Sequence, residues 1–520
     1  MFSKQTLPQY DELWVVSDIH MGGRPGFQIL KHGPRLGEFI KHLSTNPPKG
    51  EVALVLNGDI IDSLAEEIEG YIAMEEAEKM MKRISEEKAF KPVWDGLQKF
   101  VSAARRHLII IIGNHDIELA LPQVELWIRR KLAGDNLQKN GRIHFATHGA
   151  GFGCKVGGSR VFCTHGNEVD GWNMVDHERL GQLGNALNAG RPADRAKWEP
   201  NAGTRLVIRV MNKVKAQYPF VDLLKPETKP LLGVLAVIAP HLVRDLKVTD
   251  AAAIIKDRIR GALEKRGLLS TEAEDLVEAS DFDLAADTAM PELLGNHLRE
   301  AVEATGSAAH AVTPEELLRE VDNDFTAGKS AMDALDDAGR EETLGVVGMI
   351  VDRIRGIGKV EALRNALLDW LENDDTFNLD KRDQTFREIA RRVGPDVDFV
   401  ITGHTHLQRA IRIDDGVDRY YYNCGTWIRL IRFTKKLLES QKEFRKVYSD
   451  LEARSMTAID NAEILDHHGH KTPLVIDRTA AVCISSGENG VVGRLYHVTS
   501  RDDGSDMALQ LVDGSEFWRR

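Results

Sequence analysis

The sequence has few cysteines, no long apolar run and fewer basic than acidic residues; the first two shortages exclude classes of protein, and the third disfavours one. Four cysteines in 520 residues, with no CxxC spacing, are too few and too scattered for a disulfide framework. We therefore expect reduced, buried thiols, as in a cytosolic protein, at Cys154, Cys163, Cys424 and Cys483.

No apolar run is long enough to cross a bilayer. The most apolar internal stretch, Leu231 to Val243, is interrupted by Pro240 and His241, whereas a membrane-spanning helix needs about 20 apolar residues. A buried helix is the favoured interpretation of this stretch, and a lipid-contacting surface is the alternative. The amino-terminal residues contain no apolar signal-peptide core, so we expect a cytoplasmic protein without a transmembrane segment.

Acidic residues outnumber basic residues in this chain. Lysine and arginine total 68 against 80 aspartates and glutamates, which gives a formal net charge of -12. Because phosphate contacts supply most non-specific affinity for nucleic acids, a nucleic-acid partner is an alternative that the net charge does not favour. The length predicts more than one domain, and a hydrophobic content of 42% is ample for a sizeable core.

The residues that can carry chemistry are concentrated in five short polar clusters, each following an apolar run. The clusters are Asp18-Ile19-His20, Gly58-Asp59-Ile60-Ile61-Asp62, Gly113-Asn114-His115-Asp116, Thr164-His165-Gly166 and Gly403-His404-Thr405-His406. Together they supply enough Asp, Asn and His to hold two metal ions side by side. Oxygen and nitrogen ligands without thiolates suit Mn, Fe or Zn ions.

The apolar runs before the clusters predict buried β-strands. These runs are Leu13 to Ser17, Val52 to Asn57, Leu108 to Ile112, Val161 to Cys163 and Phe399 to Thr402. Ligands just past such strands are expected in the crevice at the carboxyl edge of an open sheet. If strand geometry persists through Asp18-Ile19-His20, both polar side chains face the site and Ile19 faces the core. The glycines of the clusters are expected to provide tight turns.

The ordered set of five motifs resembles the calcineurin-like metallophosphoesterase superfamily, over roughly the first third of the chain and from Asp396 to Arg432. The resemblance implies an α/β fold, a four-layer α/β/β/α sandwich, and an enzyme that hydrolyses a phosphate ester. It also implies two divalent metal ions, with Mn the first expectation and Fe or Zn the alternatives. The first metal is assigned to Asp18, His20, Asp59 and His406, and the second to Asp59, Asn114, His165 and His404.

The same resemblance assigns the catalytic roles. A hydroxide bridging the two metals would attack phosphorus. His115 would protonate the leaving oxygen, and Asp62 would orient His115. Glu168 and His148 are candidates to support the metal-binding imidazoles, which usually donate their second N–H to a partner.

Two branches of the superfamily differ from this chain. The stretch Asn423-Cys424-Gly425-Thr426-Trp427 is similar to one in relatives of the bacterial UDP-diacylglucosamine diphosphatases, but that branch usually has Arg in place of His115. Its lid is also much shorter than the insertion here. Protein phosphatases usually carry Arg and Glu at the positions occupied by Ser63 and Asp116, so a phosphoprotein substrate is disfavoured.

The connection between His165 and Gly403 is too long for a simple loop and must contain structure of its own. We predict a metallophosphoesterase core in two parts, residues 1–170 and 395–520, the second with extra carboxyl-terminal strands. Residues 171–394 would form a mostly helical insertion or cap. Helices are expected from Thr204 to Gln217, Leu344 to Arg355, Val360 to Leu371 and Asp383 to Val393, with further helix starts at Thr271 and Thr313.

Charge is distributed unevenly along the insertion. The stretch from Arg191 to Lys247 mixes basic and apolar residues and is the candidate to cover the site. The acid-rich stretch from Glu272 to Glu342 is interpreted as a solvated helical face, and a protein-partner surface is the alternative. The His-rich segment from Asp466 to His470 is interpreted as an exposed loop rather than a second metal site.

These features predict a dinuclear-metal hydrolase of a phosphodiester or diphosphate bond. The presence of His115 and the absence of the protein-phosphatase markers favour that bond type. Three alternatives remain: a nucleotide-lipid diphosphatase with an apolar groove under the insertion, a Mn-dependent nuclease, and a catalytically silent scaffold whose insertion binds a partner.

Overall fold

Two β-sheets packed face to face form the centre of the protein, seen in a computed structural model. The structure describes residues 7–171, 173–195, 198–224, 234, 237–238, 358–371, 376–414, 416–466 and 468–519. The predicted helix from Leu344 to Arg355, the helix starts at Thr271 and Thr313, and the acid-rich stretch from Glu272 to Glu342 lie outside the described residues.

The described strands are numbered in chain order. They are β1 (Gln9–Tyr10), β2 (Glu12–Val16), β3 (Val52–Asn57), β4 (Arg106–Ile111), β5 (Ile143–Ala146), β6 (Phe152–Val156), β7 (Ser159–Cys163), β8 (Phe399–Thr402), β9 (Gln408–Asp414), β10 (Asp418–Cys424), β11 (Leu430–Ile431), β12 (Glu463–Leu465), β13 (Lys471–Pro473), β14 (Val475–Ile476), β15 (Ala480–Gly487), β16 (Gly490–Thr499), β17 (Ala508–Leu511) and β18 (Phe517–Arg519). All five strands predicted before the polar clusters are confirmed, as are the extra carboxyl-terminal strands.

The helices are numbered in the same way. They are α1 (Gly33–Thr45), α2 (Ala77–Glu86), α3 (Lys91–Ser102), α4 (Pro122–Ala133), α5 (Leu137–Asn140), α6 (His177–Asn188), α7 (Ala202–Leu206), α8 (Asn212–Lys215), α9 (Lys359–Leu371), α10 (Gln384–Arg392), α11 (Lys435–Glu439), α12 (Gln441–Glu452) and α13 (Met456–Asn461). Short 3₁₀ turns cover Ser63–Ala65, Ile117–Ala120, Asn167–Val169 and Pro219–Leu223.

The two sheets have different strand orders. One runs β17-β16-β15-β2-β3-β4-β5, with β18 also paired to β16, and the other runs β1-β6-β7-β8-β10-β9. Strands β2 to β5 are parallel to one another, and β7, β8 and β10 are parallel in the second sheet. With these strand directions, the carboxyl ends of strands from both sheets lie at the same edge of the sandwich.

Side chains of the central strands face the two sides of the sheet alternately, so each strand contributes to two apolar layers. Leu13 and Val15 of β2 pack between the two sheets, whereas Trp14 and Val16 pack against the outer helices α1 to α4. Since successive strand residues face opposite sides, one continuous apolar run serves two cores. On the far side of the second sheet, Phe386 of α10 packs against Tyr421. The four-layer α/β/β/α prediction is confirmed.

The predicted helices outside the sandwich agree closely with the structure where it is described. Helix α9 matches the prediction from Val360 to Leu371, and α10 matches the one that starts at Asp383. Asp383 is the N-cap of α10, because its side chain accepts a hydrogen bond from the backbone N–H of Phe386 at 2.9 Å. The stretch from Thr204 to Gln217 is helical but includes one π-helical segment, Val207–Met211, between α7 and α8.

A second apolar core lies beside the sandwich. It joins residues of the predicted insertion, such as Phe220 and Leu363, to residues that follow β11, such as Phe433 and Phe444. Helices α11 to α13, which contribute to this core, were not predicted from the sequence. Val234, Val237 and Ile238, the described part of the stretch from Leu231 to Val243, are buried in it, in agreement with the favoured interpretation as a buried segment.

The other composition-based expectations can be compared with the described residues. All four cysteines are buried and free, as predicted. Among the described residues, no helix combines the length and the apolar character that crossing a membrane requires. His468 and His470 lie in an exposed turn whose backbone N–H groups donate to Asp466 Oδ1, each at 2.8 Å, so this segment is the predicted loop.

Candidate metal centre

The predicted site residues converge at the edge where both sheets end. Strands β2, β3 and β4 of one sheet lead into Asp18, Asp59 and Asn114, and strands β7 and β8 of the other lead into His165 and His404. Most of these side chains are buried. Polar groups in a protein interior normally need hydrogen-bond or metal partners. The arrangement brings residues that lie hundreds of positions apart in sequence into one cluster.

The cluster contains three groups of possible ligands; two of them share the Asp59 carboxylate, and the third consists of His20, Asp62 and His115. Asp18, His20, Asp59 and His406 form the first set, and Asp59, His165 and His404 form the second, with the ligand atoms of each set within 4.8 Å of one another. Asp59 Oδ2 lies 3.2 Å from His165 Nε2 and 3.7 Å from His20 Nε2. Asp18 Oδ1 lies 3.3 Å from His406 Nε2.

Backbone geometry at the ligands differs from the prediction. Strand β2 ends at Val16, and Asp18 and His20 adopt left-handed conformations with φ of 53° and 51°, so strand geometry does not persist through them. Asp59, His404 and His406 are also left-handed, with φ of 49°, 69° and 60°. Both polar side chains still reach the cluster and Ile19 is still buried, but tight left-handed turns aim them. Such strained conformations are concentrated at functional sites.

The glycines of the clusters serve close packing as well as turning. Gly58 and Gly166 have φ of 83° and 115° and do provide turns. At Gly113 a Cβ atom would overlap Asp59 Oδ1, and at Gly403 it would overlap Ser17 Oγ. These two glycines let the backbone of one motif approach the carboxylate of another, which the expectation of tight turns alone did not include.

Several buried polar atoms in the cluster have no hydrogen-bond partner within the described part of the chain. They are Asp18 Oδ1, His20 Nδ1, His20 Nε2, Asn114 Oδ1 and His165 Nε2. A buried polar atom without a partner costs roughly 1–3 kcal/mol, so such a group is retained where something else satisfies it. The atoms are all oxygen or nitrogen, which are the donors that Mn, Fe and Zn accept. The residues present therefore fit a pair of divalent cations.

His115 and Asp62 form a hydrogen-bonded pair at the margin of the ligand sets. His115 Nδ1 lies 3.0 Å from Asp62 Oδ1, and the His115 ring packs edge-on against His20 with centroids 4.8 Å apart. The backbone N–H of His115 donates to Asp59 Oδ1 at 2.9 Å. The Nδ1 contact fixes the ring and leaves Nε2 for another partner, which is the geometry expected of an oriented acid.

Charged neighbours in the cluster shift the pKa values of Asp59, His165 and His115 in the direction opposite to burial. Burial raises the pKa of Asp59, but the surrounding histidines, His165 first, outweigh it and hold that pKa well below its usual range. Burial likewise lowers the pKa of His165, but Asp59 outweighs it and raises the pKa to about 10. For His115, Asp59 and Asp62 overcome the effect of burial and raise the pKa. Asp59 and the imidazoles of His165 and His115 thus stabilise one another in their charged forms, whereas at Asp18 burial outweighs the histidines and raises the pKa.

Asp116 ties the second and third motifs together. Its carboxylate accepts hydrogen bonds from the backbone N–H groups of Ile60 at 2.7 Å and Gly113 at 2.6 Å. Burial, followed by the nearby Asp59 charge, raises the pKa of Asp116 to about 7. The residue holds the two ligand loops in register and is not itself in either ligand set.

Each of two candidate ligand imidazoles is also held by its second nitrogen. His165 Nδ1 lies 2.8 Å from the backbone oxygen of Asn57. His404 Nε2 lies 2.9 Å from Asp170 Oδ2, which also accepts a hydrogen bond from Asn173 Nδ2 at 2.8 Å. Sequence reasoning missed Asp170, although it follows the fourth motif by only four residues. An acidic residue close after a ligand motif was the available signal.

The two residues predicted to support the imidazoles lie elsewhere. Glu168 accepts hydrogen bonds from Thr164 Oγ1 at 2.6 Å and from the backbone N–H of Gly166 at 2.7 Å. It therefore fixes the residues on either side of His165 rather than the ring itself. His148 is exposed and has no such contact among the described residues.

The stretch after β10 connects the first and fifth motifs. Asn423 Nδ2 donates to the backbone oxygen of Gly403 at 2.6 Å. Thr426 Oγ1 and the backbone N–H of Trp427 both donate to the backbone oxygen of Asp18, at 2.8 and 3.0 Å. The sequence analysis noted this stretch because it is similar to one in relatives of the UDP-diacylglucosamine diphosphatases. In the structure it fixes the loops that carry the candidate ligands.

Residues 12–214 match the family model of the calcineurin-like phosphoesterases. The match includes four of the five polar clusters and ends before the fifth, which the fold brings to the same site. A search of curated proteins found no match. The fold, the match and the buried Asp and His cluster together show that the chain contains a calcineurin-like phosphoesterase domain, which supports a hydrolase that acts on phosphate ester bonds.

Proposed function

We propose that this protein hydrolyses a phosphodiester or diphosphate bond at a dinuclear metal centre, with His115 as the proton donor to the leaving group. The observation that carries the proposal is the Asp62-tethered His115 beside two ligand sets that share Asp59. A site for ester or anhydride cleavage needs a proton donor near the departing oxygen, and an oriented imidazole provides one.

The metal-binding residues proposed from the sequence are retained. Asp18, His20, Asp59 and His406 would hold one cation, and Asp59, Asn114, His165 and His404 the other. Two divalent ions would polarise the phosphoryl oxygens and lower the pKa of a bound water, and Mn is the first candidate, with Fe and Zn next. Asp59, held ionised by its histidine neighbours, has the charge that a shared ligand requires.

We infer that His115 acts on the leaving group, although it also belongs to a group of possible metal ligands with His20 and Asp62. Its Nδ1 is engaged by Asp62, and its side chain remains 14% exposed, so the ring borders solvent while Asp62 beneath it is 3% exposed. A substrate oxygen at the open side would meet Nε2. Asp62 holds the ring in the required orientation and stabilises its protonated form.

We also propose that residues 171–394 form the cap of the site. The described start of this segment reaches the rim, because Asn212 Nδ2 donates to the backbone oxygen of Leu64 at 2.7 Å, two residues after Asp62. Lys215 pairs with Asp222 at 2.8 Å; burial lowers the Lys215 pKa, but the charges of Asp222 and then of Asp62 outweigh burial and raise it. A basic side chain near the proposed leaving-group position suits an anionic substrate.

The test is a substrate panel with two variants. The purified chain, loaded with Mn²⁺, is assayed against a monoester, a diester, cyclic nucleotides, oligonucleotides and a nucleotide diphosphate lipid. Turnover is expected on a diester or a diphosphate. Asp59→Asn should lose metal and activity together, whereas His115→Ala should keep most metal and lose about 10²–10⁴-fold in turnover.

Leaving-group chemistry provides the control within the panel. The loss in His115→Ala should be smallest for a p-nitrophenyl ester, because its leaving group needs little protonation. His148→Ala, at an exposed histidine outside the cluster, is the matched variant and should resemble the parent. Equal losses on good and poor leaving groups would show that His115 is not the acid. Preferred cleavage of oligonucleotides or of the lipid would identify the nuclease or lipid diphosphatase alternative.

A further inference from the structure

A serine holds the backbone of the proposed acid. Ser63, the residue after Asp62, donates from its backbone N–H to the backbone oxygen of His115 at 3.1 Å, and its Oγ lies 2.7 Å from the same oxygen. The Ser63 side chain is buried. Asp62 thus contacts the ring of His115, and the next residue along the chain contacts its main chain.

A buried glutamate contacts the same serine hydroxyl. Glu118 belongs to the 3₁₀ turn Ile117–Ala120 and is 1% exposed. Its Oε2 lies 2.6 Å from Ser63 Oγ, and its Oε1 accepts a hydrogen bond from the backbone N–H of Ala73 at 2.8 Å. The side chain therefore joins the second and third motifs to the segment that leads into α2.

The Ser63 hydroxyl has two short contacts but only one proton to donate. A backbone oxygen and an ionised carboxylate can only accept hydrogen bonds. With an ionised Glu118, one of the two contacts, at 2.6 or 2.7 Å, would join two oxygens with no hydrogen between them. A proton on Glu118 removes this conflict, because the carboxyl then donates to Ser63 and Ser63 donates to His115.

The surroundings of Glu118 also favour its protonated form. Its hydrogen-bond partners in the described chain, the Ser63 hydroxyl and the Ala73 N–H, carry no charge. Burial raises the pKa of Glu118, hydrogen bonding with those two groups offsets only part of this effect, and the charge of Glu76 adds to the rise. An ionised carboxylate whose partners are uncharged is costly to bury, so such a group stays neutral.

We propose that a protonated Glu118 is a positioning residue for His115: its carboxyl donates to Ser63, whose hydroxyl donates to the backbone oxygen of His115. The proposal rests on the proposed function, in which His115 is the acid, and adds the residues that hold its main chain. A small displacement of a positioned group can cost a large factor in rate. Loss of either link should therefore lower turnover without removing the metals.

Ser63→Ala and Glu118→Ala test the two links in the Mn²⁺-loaded protein. Each should keep the metal content of the parent and lose about tenfold in kcat on a diester with a poor leaving group, since a hydrogen bond is removed. The loss should be much smaller on a p-nitrophenyl ester, which needs little protonation, and KM should change little. Equal losses on both esters, or none on either, would show that the two residues do not position the acid.

Glu118→Gln decides what the carboxyl supplies. An amide resembles a protonated carboxyl, because its NH₂ group can donate to Ser63 and its oxygen can accept from Ala73. Glu118→Gln should therefore recover most of the turnover that is lost in Glu118→Ala or, where that variant is unstable, in Ser63→Ala. A loss in Glu118→Gln as large as that in Ser63→Ala would show that the negative charge is required and would overturn the proposal.

Infrared difference spectroscopy detects the proton itself and needs no turnover. At neutral pH, the spectrum of the parent minus that of Glu118→Gln should contain the carbonyl stretching band of a buried, protonated carboxyl. The other carboxyl groups are present in both proteins and cancel. Absence of this band would mean that Glu118 is ionised, and the proposed relay of hydrogen bonds would be wrong.

Ser85 provides the matched control for a lost hydroxyl. It is 1% exposed in α2, a helix that contributes no candidate ligand, and its Oγ donates to the backbone oxygen of Lys82 at 2.8 Å. Ser85→Ala should retain the kcat of the parent on both esters. If the parent cleaves neither ester, or if His115→Ala shows no leaving-group dependence, the proposed function fails while the infrared band still tests the proton on Glu118. Leaving-group dependence in His115→Ala but not in Ser63→Ala would refute the positioning role alone.

Discussion

Asp170 fixes the orientation of one imidazole in the proposed second ligand set. Because His404 Nε2 is engaged by its carboxylate at 2.9 Å, Nδ1 is left to face the cation. Asp170→Asn should therefore lower the affinity of one of two Mn²⁺ sites about 10–100-fold and leave the other nearly unchanged. A calorimetric or paramagnetic titration with Mn²⁺ measures both affinities.

A nearby aspartate provides the comparison for that prediction. Asp176 caps α6 through a 2.9 Å hydrogen bond from the backbone N–H of Arg179, and asparagine can replace it as a cap. Asp176→Asn should bind both metal ions as the parent does. Unchanged metal affinities in Asp170→Asn would contradict the orienting role of Asp170.

Residue types in the motifs predicted which side chains meet, but not the conformations that make them meet. Asp, Asn and His at the ends of five apolar runs indicated a metal site, and the structure brings the Asp and His residues together. Left-handed backbone at Asp18 and His20 was not predictable, since most L-residues avoid it and only the surrounding fold enforces it. Asp170 was missed because its role depends on His404, more than 200 positions away.

At the scale of elements, the loops after β3 and β4 approach too closely for any side chain at Gly113. An added Cβ would lie 2.6 Å from the backbone nitrogen of Asp59 and overlap its carboxylate. Gly113→Ala should displace the shared carboxylate and lower bound metal by at least tenfold, because a small shift of one ligand disrupts both sets. Metal content after gel filtration and a thermal melt test this outcome.

Gly158, in the turn between β6 and β7, is the matched glycine. A Cβ there would meet no atom of the described residues within 4 Å, and the φ of Gly158 is not in the left-handed region. Gly158→Ala should therefore keep the metal content and melting temperature of the parent. Full metal content in Gly113→Ala would show that the loop can yield and that crowding at Asp59 is not a constraint.

Apolar runs predicted elements well where the two sheets and their outer helices bury both faces of a strand. The runs that became β2, β3 and β4 were recognised because both of their faces are buried. Helices α11 to α13 were not predicted, and their buried faces belong to a core shared with the insertion. Apolar spacing shows that a face is buried but not which distant segment covers it.

At the scale of the whole molecule, His32 links the first helix to the carboxyl-terminal segment. It precedes α1, its Nε2 lies 3.7 Å from Asp477, and its side chain is 12% exposed. Burial lowers the His32 pKa to about 4, although Asp477 opposes this, with Arg35, Lys31 and Arg429 also lowering it. An unfolded histidine has a pKa of about 6.5 and takes up a proton first as the pH falls.

The sign of the pH dependence follows from these two values. Between about pH 6.5 and pH 4 the unfolded chain binds a proton at His32 that the folded chain does not, so acid favours unfolding. His32→Gln cannot take up this proton and should lose about 2 kcal/mol less stability than the parent between pH 7 and pH 5. Urea unfolding at the two pH values measures the difference. Parallel losses in both proteins would exclude His32 as a contributor.

The strands, the candidate ligand residues and the class of chemistry could be predicted from the chain alone, because they depend on local alternation and on residue type. Packing of the whole chain was needed to show which sheet edge unites Asp18 with His406 and how Asp170 holds His404. Contacts between residues hundreds of positions apart arise from the order of strands in two sheets. That order is set by packing across the whole molecule and leaves no local pattern in the chain.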